Sequence, residues 1–384
     1  MPLDFLKPVS KKLLTYVETL EEHMLGQSIW IHSGSTSFPE LKNVDLAIVV
    51  VKEARGADTV EELMDFDAIR SSLYTLYPGN WTVSIADFGT IEPGKTIGDT
   101  YYLVEQVMRE LLKNDIIPVI IGGSQDIAYY QYRAFDILER MVNLVNVDAI
   151  FDLGNASAPL TSTSYIGKII IEQPYNLFNY SNIGYQTYYN AQDKIDLIEK
   201  LYFDAYRLGD VINDLTLVEP VMRDADIVSV DMKAVQKTYT SNAAFSPNGF
   251  NSREICAITR YAGISDKVKS FSIFECYQKN EQQAMLISQM LWYFIEGLNY
   301  RTNELNIKTK KGTLHYNVPV EDEVLSFYQS PITKRWWIEI PFLTSGNNKL
   351  KRHTLLPCTY NDYERACNQE IPERWYKAKL KNEV

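Results

Sequence analysis

Four apolar runs in this 384-residue chain end in groups that could do chemistry: IIGGSQD (120–126), VNVDAIFD (145–152), VSVDMKAV (228–235) and FSIFECY (271–277). They put forward Gln125, Asp148, Ile150, Asp152, Asp231, Lys233 and Glu275. Side chains alternate along extended backbone, so Asp148, Ile150 and Asp152 face one way, and so do Asp231 and Lys233. A divalent transition-metal site there would want carboxylate or imidazole at each inward position. Isoleucine has no ligand atom, and a charged lysine offers only donors. The four histidines, His23, His32, His315 and His353, all fall away from these strand ends. No catalytic residue and no metal ligand is therefore assigned, and no cofactor is expected.

Other chemistries fare no better at these positions. Gly122 to Asp126 lacks the last glycine of a G-x-S-x-G nucleophile elbow, and no histidine base stands near it. No G-K-[S/T] follows the glycine pair, so there is no P-loop. Cys276, beside Glu275, reads as a small buried hydrophobe. Tyr185, Tyr188 and Tyr189 sit between two strand candidates. Lining a ligand pocket, meeting a partner and plugging the site all stay open for them.

The elements that must hold these groups are legible as alternation. Strands are expected at 44–51, 82–87, 116–121, 143–148, 168–171, 226–231 and 270–275, several of them apolar throughout, as strands covered on both faces should be. Between them, Leu103, Val104, Val107, Met108, Leu111 and Leu112 form a helical stripe. Asn251 with Glu254, and Asn280 with Gln283, have capping-box spacing for helices opening after 251 and 280. The fold class is α/β: three α/β/α layers around a mostly parallel sheet, with any site outside the carboxyl ends of the strands. The expected organisation is a helical extension (1–42, with a helix over 11–24), an α/β domain (43–302) and a C-terminal β/helix appendage (303–384). The appendage carries LHYNVPV and KRWWIEIPF as strands and two short helices. Trp336, Ile338 and Ile340 share one face there, Trp337 and Glu339 the other, and the simplest role is to cover a sheet edge.

Composition narrows the partners. A formal net charge of −11 argues against a nucleic-acid binder. Four cysteines with no C-x-x-C pair, and an N-terminus without a signal-peptide core, point to the cytoplasm. The apolar run LAIVVV is far too short to span a bilayer.

Taken in order, the four strand ends resemble the arginase, agmatinase and formimidoylglutamase (ureohydrolase) family over roughly residues 44–300. In that family three strands end in Gly-Gly-Asp-His-Ser, Asp-x-His-x-Asp and Ser-[Phe/Val]-Asp-x-Asp. Their six ligands hold two manganese ions that share a hydroxide, and a later glutamate positions the guanidinium-like substrate. IADFGTI (85–91) and SPNGFNSREICAI (246–258) are similar to further family segments. The resemblance implies an arginase-like fold. It also makes Gln125, Ile150 and Lys233 replacements for three ligands, leaving Asp148, Asp152 and Asp231, with Glu275 as the substrate-positioning glutamate.

Without cations, three crowded aspartates would repel one another. Lys233 is expected to take the structural place of a metal by pairing with Asp231, Asp148 or Asp152; otherwise it points to solvent and the aspartates are simply apart. The expectation for function is a catalytically inactive family member without the dimanganese centre, acting as an interaction or scaffold component with a protein partner; the resemblance also implies a homo-oligomer. The alternatives are a formimidoylglutamase-like hydrolase of amidine or guanidino substrates with an altered site, and a small-molecule sensor that keeps Glu275.

Overall fold

The computed structural model describes all residues except 1, 36, 59–61, 156, 237–246, 278–279, 303–309, 342–354 and 384. The strands are β1 (Trp30–Ile31), β2 (Leu46–Val51), β3 (Ile85–Ile91), β4 (Ile117–Gly122), β5 (Val142–Val147), β6 (Leu177–Tyr185), β7 (Asp204–Arg207), β8 (Ile227–Asp231) and β9 (Ser270–Phe274). They form one sheet in the order β1-β3-β2-β4-β9-β8-β5-β6-β7. Every pairing in it is parallel.

The continuous apolar runs explain the sandwich. All residues of β2, β4, β5, β8 and β9 are buried, and alternate residues feed opposite cores. Ile48, Val50, Val119, Ile121, Val228 and Ile273 point into one core, and Ala47, Val49, Val51, Ile120, Leu144 and Ile227 into the other. The covering helices are α1 (Lys11–Val17), α2 (Leu25–Ser28), α3 (Phe66–Tyr74), α4 (Ile97–Lys113), α5 (Ile127–Arg133), α6 (Tyr165–Ile171), α7 (Gln192–Lys200), α8 (Leu208–Asn213), α9 (Val218–Asp224), α10 (Ser252–Ile264) and α11 (Glu281–Asn299). None of the described helices is long and apolar enough to cross a membrane.

Asn251 and Glu254 close the full capping box that starts α10. Asn280 caps α11 through its own side chain alone, and the reciprocal Gln283 leg is not made. The helix expected over 11–24 stops at Val17, with α2 following separately. The strand expected at KIII (168–171) is instead the end of α6. A four-residue apolar run cannot distinguish strand from buried helix. Here Tyr165, Ile166 and Ile169 are buried at helical spacing, and Lys168 pairs with Glu172 one turn on. The strand in that part of the sheet is β6.

The C-terminal residues build a second, antiparallel sheet of β10 (Leu314–Val320), β11 (Glu323–Gln329), β12 (Trp336–Glu339) and β13 (Leu355–Cys358), followed by α12 (Tyr360–Cys367) and α13 (Glu373–Glu383). Trp336, Ile338 and Ile340 pack with Ala366, Trp375 and Ala378. Trp337 lies on the opposite face with Tyr328 and Leu355. Arg223 of α9 joins this module to the core: its guanidinium stacks 4.4 Å over Trp337 and donates to the carbonyls of Trp336 and Cys358. From α13, Lys377 reaches the Phe203 carbonyl and Arg374 the Tyr206 hydroxyl, so the appendage lies against the β7 edge.

Candidate functional site

The neighbouring strands β4, β9, β8 and β5 deliver all seven singled-out residues to one end of the sheet. The glycine pair at the tip of β4 serves backbone packing. A Cβ on Gly123 would lie 2.1 Å from the Glu53 carbonyl oxygen, and one on Gly122 would lie 2.7 Å from the Phe274 ring. Ser124 then donates its amide to the Glu53 carbonyl (3.0 Å), which steers the chain into α5.

Gln125 is fully buried. Its side-chain amide donates to Asn146 Oδ1 (2.8 Å) and to the Tyr165 hydroxyl (3.2 Å), and its backbone N–H donates to Glu275 Oε1 (2.9 Å). Asp148 accepts from Asn146 Nδ2 (3.2 Å) and from the Ile150 amide (3.0 Å), and Asp231 accepts from the Lys233 amide (2.6 Å). Asp148, Asp152 and Asp231 each present an oxygen within 4.8 Å of the others. Two carboxylate residues here carry left-handed backbone, Asp152 at φ +50° and Glu275 at φ +60°. Such strain on non-glycine residues persists only where surrounding contacts fix it.

Lys233 lies inside the cluster. Its Nζ is 2.7 Å from Glu275 Oε2 and 3.7 Å from Asp231 Oδ2, with 22% of the side chain exposed. The pairing with Asp231 was expected; the shorter contact, to Glu275, was not. Burial raises the pKa of all four carboxyls; for Asp152 the adjacent Asp148 adds to the rise, and for Asp148 the Asp152 hydrogen bond opposes it. Burial also works against the Lys233 charge, but Asp231 and Glu275 more than reverse this and hold the ammonium. One internal cation among four carboxylates is the dominant electrostatic feature of the site.

This donor set does not fit a two-metal centre. Ile150 offers no ligand atom, Gln125 turns its amide to Asn146 and Tyr165, and the Lys233 charge already occupies the space between Asp231 and Glu275. Three carboxylates remain, enough for at most one small oxygen-ligated cation.

The sequence reading missed Asn146, Tyr165 and Ser229, whose hydroxyl accepts from the Gln125 amide at 3.5 Å. Asn146 and Ser229 stand two residues before Asp148 and Asp231, so the two-residue period already placed them on the same face. Tyr165 gives no such signal, because the KIII run that follows it has a strand pattern although α6 spans both. It, rather than the tyrosines of 185–189, closes the floor of the site: Tyr188 and Tyr189 are exposed, and Tyr185 packs on Phe151. Ser124 and Cys276 are buried away from solvent, and Ser124 is hydrogen-bonded to the Asp126 carboxyl, which leaves neither the exposure of a nucleophile.

Asp126 borders the site and carries a pH signature. Burial pushes its carboxyl up to about 6, against hydrogen bonds from Ser124 and Tyr101. A raised folded-state pKa contributes stability that is complete below the ordinary carboxylate range and is lost as pH rises through about 6. Asp126→Asn, uncharged throughout, is expected to be the more stable chain above that pH, by about 3 kcal/mol at most, and to converge on the parent near pH 4. Urea melts across this range check it; a difference that stays constant with pH contradicts it.

Residues 63–296 match the arginase family. The formimidoylglutamase of Staphylococcus aureus (strain MSSA476) is 22% identical over 244 residues, which cover 60% of this chain and 78% of the relative. Among solved structures, the formiminoglutamase of Trypanosoma cruzi, determined with Mn2+, superposes at a TM-score of 0.63 with 14% identity, covering 73% of this chain and 99% of that one. The agmatine ureohydrolase of Thermoplasma volcanium superposes at 0.57 with 18% identity, covering 74% and 97%. The strand order, the four converging strand ends and the family match over 63–296 lead to one conclusion: the chain belongs to the arginase family.

Proposed function

We propose that this chain is a non-hydrolytic arginase-family protein that lacks the dimanganese centre and acts in the cytoplasm by binding a protein partner. The observation that carries the reading is the Lys233 ammonium, 2.7 Å from Glu275 and 3.7 Å from Asp231, with Ile150 in place of a ligand. The partner half of the proposal is supported by the second sheet and its helices, which begin beyond the 63–296 family match. A sensor that grips an amidine through Glu275 is less well supported, because both Glu275 oxygens are engaged, by Lys233 and by the Gln125 amide.

One observation favours a second reading. The three aspartates keep ligand atoms within 4.8 Å of one another, and Asp152 Oδ2 has no hydrogen-bond partner among the described residues. A single-metal hydrolase of amidine or guanidino substrates would use them. Release of formamide, ammonia or urea from formimidoylglutamate, agmatine and arginine, by protein purified and assayed with manganese, separates the two. The first reading expects no release above the enzyme-free rate. Turnover that scales with protein and is abolished by Asp152→Asn would establish the second.

A further inference from the structure

We infer that Lys233 is a built-in cation that substitutes for the missing metals in holding the cluster together, and that its ammonium is what keeps a divalent ion out of a latent site made by Asp148, Asp152 and Asp231. The proposal rests on the loss of the dinuclear centre proposed above and adds a cause and a consequence to it. The cause is geometric. Lys233 lies on the turn that directly follows β8, where Asp231 accepts its backbone amide at 2.6 Å. This turn aims the side chain back over the strand end, so Nζ meets Glu275 Oε2 at 2.7 Å and Asp231 Oδ2 at 3.7 Å. A divalent ion bound by Asp231 would sit within contact range of this ammonium and be repelled by it.

The consequence follows from what the cluster retains. Asp148, Asp152 and Asp231 are all buried, and their ligand atoms already converge. Two fully buried polar atoms at the site, Asp152 Oδ2 and Gln125 Oε1, have no partner among the described residues. The strained backbone at Asp152 and Glu275 keeps both carboxylates turned inward. Removing the ammonium while leaving the carboxylates produces an uncompensated buried charge cluster, which a divalent cation with hard oxygen ligands can neutralise.

Lys233→Met keeps the length and apolar stem of the side chain and removes its charge. The readouts are melting temperature with manganese chloride or with EDTA, and manganese bound per chain after gel filtration. The parent chain is expected to melt at one temperature in both conditions and to carry no manganese. Lys233→Met is expected to melt lower by on the order of 5 °C or more in EDTA, to take up about one manganese per chain, and to recover part of the lost temperature. Lys233→Met with Asp152→Asn is expected to lose that uptake. Should Lys233→Met not fold, Lys233→Met with Asp231→Asn, which removes an ion-pair partner at the same time, is expected to fold, and its failure would overturn the proposal. Unchanged melting of Lys233→Met in EDTA, or no manganese uptake by the folded variant, would also overturn it. Manganese bound by the parent without turnover would sink this inference and leave the non-hydrolytic half of the proposed function standing, whereas turnover by the parent would sink that half.

Discussion

Gly123→Ala is expected to yield little folded protein, with a loss of about 3 kcal/mol or more in any chain that can be purified. The added methyl would lie 2.1 Å from the Glu53 carbonyl oxygen and 2.8 Å from a Leu63 methyl. The carbonyl cannot move aside, because it accepts the Ser124 amide at 3.0 Å. Gly123 also gives its own carbonyl to the Glu275 amide at 2.6 Å, so a shift there would pull on the strained residue that holds Lys233. Gly98→Ala is the control: at the start of α4 its Cβ would meet nothing closer than 3.7 Å, and it is expected to be neutral or to stabilise by up to about 1 kcal/mol. Soluble yield and urea melts of the two variants compare them directly. A Gly123→Ala chain as stable as its parent would mean that the β4 tip is not packed in this way.

The second large effect is expected at Arg70. Its Nε and Nη2 clasp Asp87 at 2.8 and 3.1 Å, and Tyr74 and the Gly89 amide each add a hydrogen bond of 2.8 Å to the same carboxylate. Arg70 is 2% exposed and Asp87 is fully buried. Arg70→Met keeps the packing of the stem but leaves Asp87 charged in the core, with an expected cost of about 3–5 kcal/mol. Arg70→Met with Asp87→Asn should recover much of it, as coupled partners do in a double-mutant cycle. A single variant within 1 kcal/mol or so of the parent in urea would show that the pair contributes little.

Asp87 also shows where sequence and structure part. The segment IADFGTI was legible as a family feature, yet its role here, to tie α3 to β3 through Arg70 and Tyr74, needed a partner 17 residues away that no local pattern marks. The central strands were legible because burial on both faces demands continuous apolar runs. β6 was not, since its Asn179, Ser181, Asn182 and Gly184 break the apolar run that marks the other strands. They are tolerated because Asn182 donates to the Ile150 carbonyl, and Asn179 and Ser181 bond Asp204 of β7.

At the site, the strand ends made Asp148 and Asp231 legible, but the extended alternation expected beyond them does not hold: Asp152 follows β5 on left-handed backbone and Lys233 lies on a 3-10 turn after β8. The partner Lys233 chooses was not legible, because Glu275 comes from a strand end 42 residues further on and is turned inward by a left-handed backbone that sequence does not announce. The glycine pair has no local pattern that marks its neighbours, which are a carbonyl and a phenyl ring of the chain itself.

Under the function proposed above, Gln125, Ile150 and Lys233 have converted a family metal centre into an internal ion-pair cluster. Manganese content of the parent chain, expressed and purified with manganese present and measured by mass spectrometry against protein concentration, tests it most directly. The expected result is a stoichiometry indistinguishable from zero, unchanged by EDTA treatment. One or two manganese ions per chain, retained through gel filtration and removed by EDTA, would contradict it.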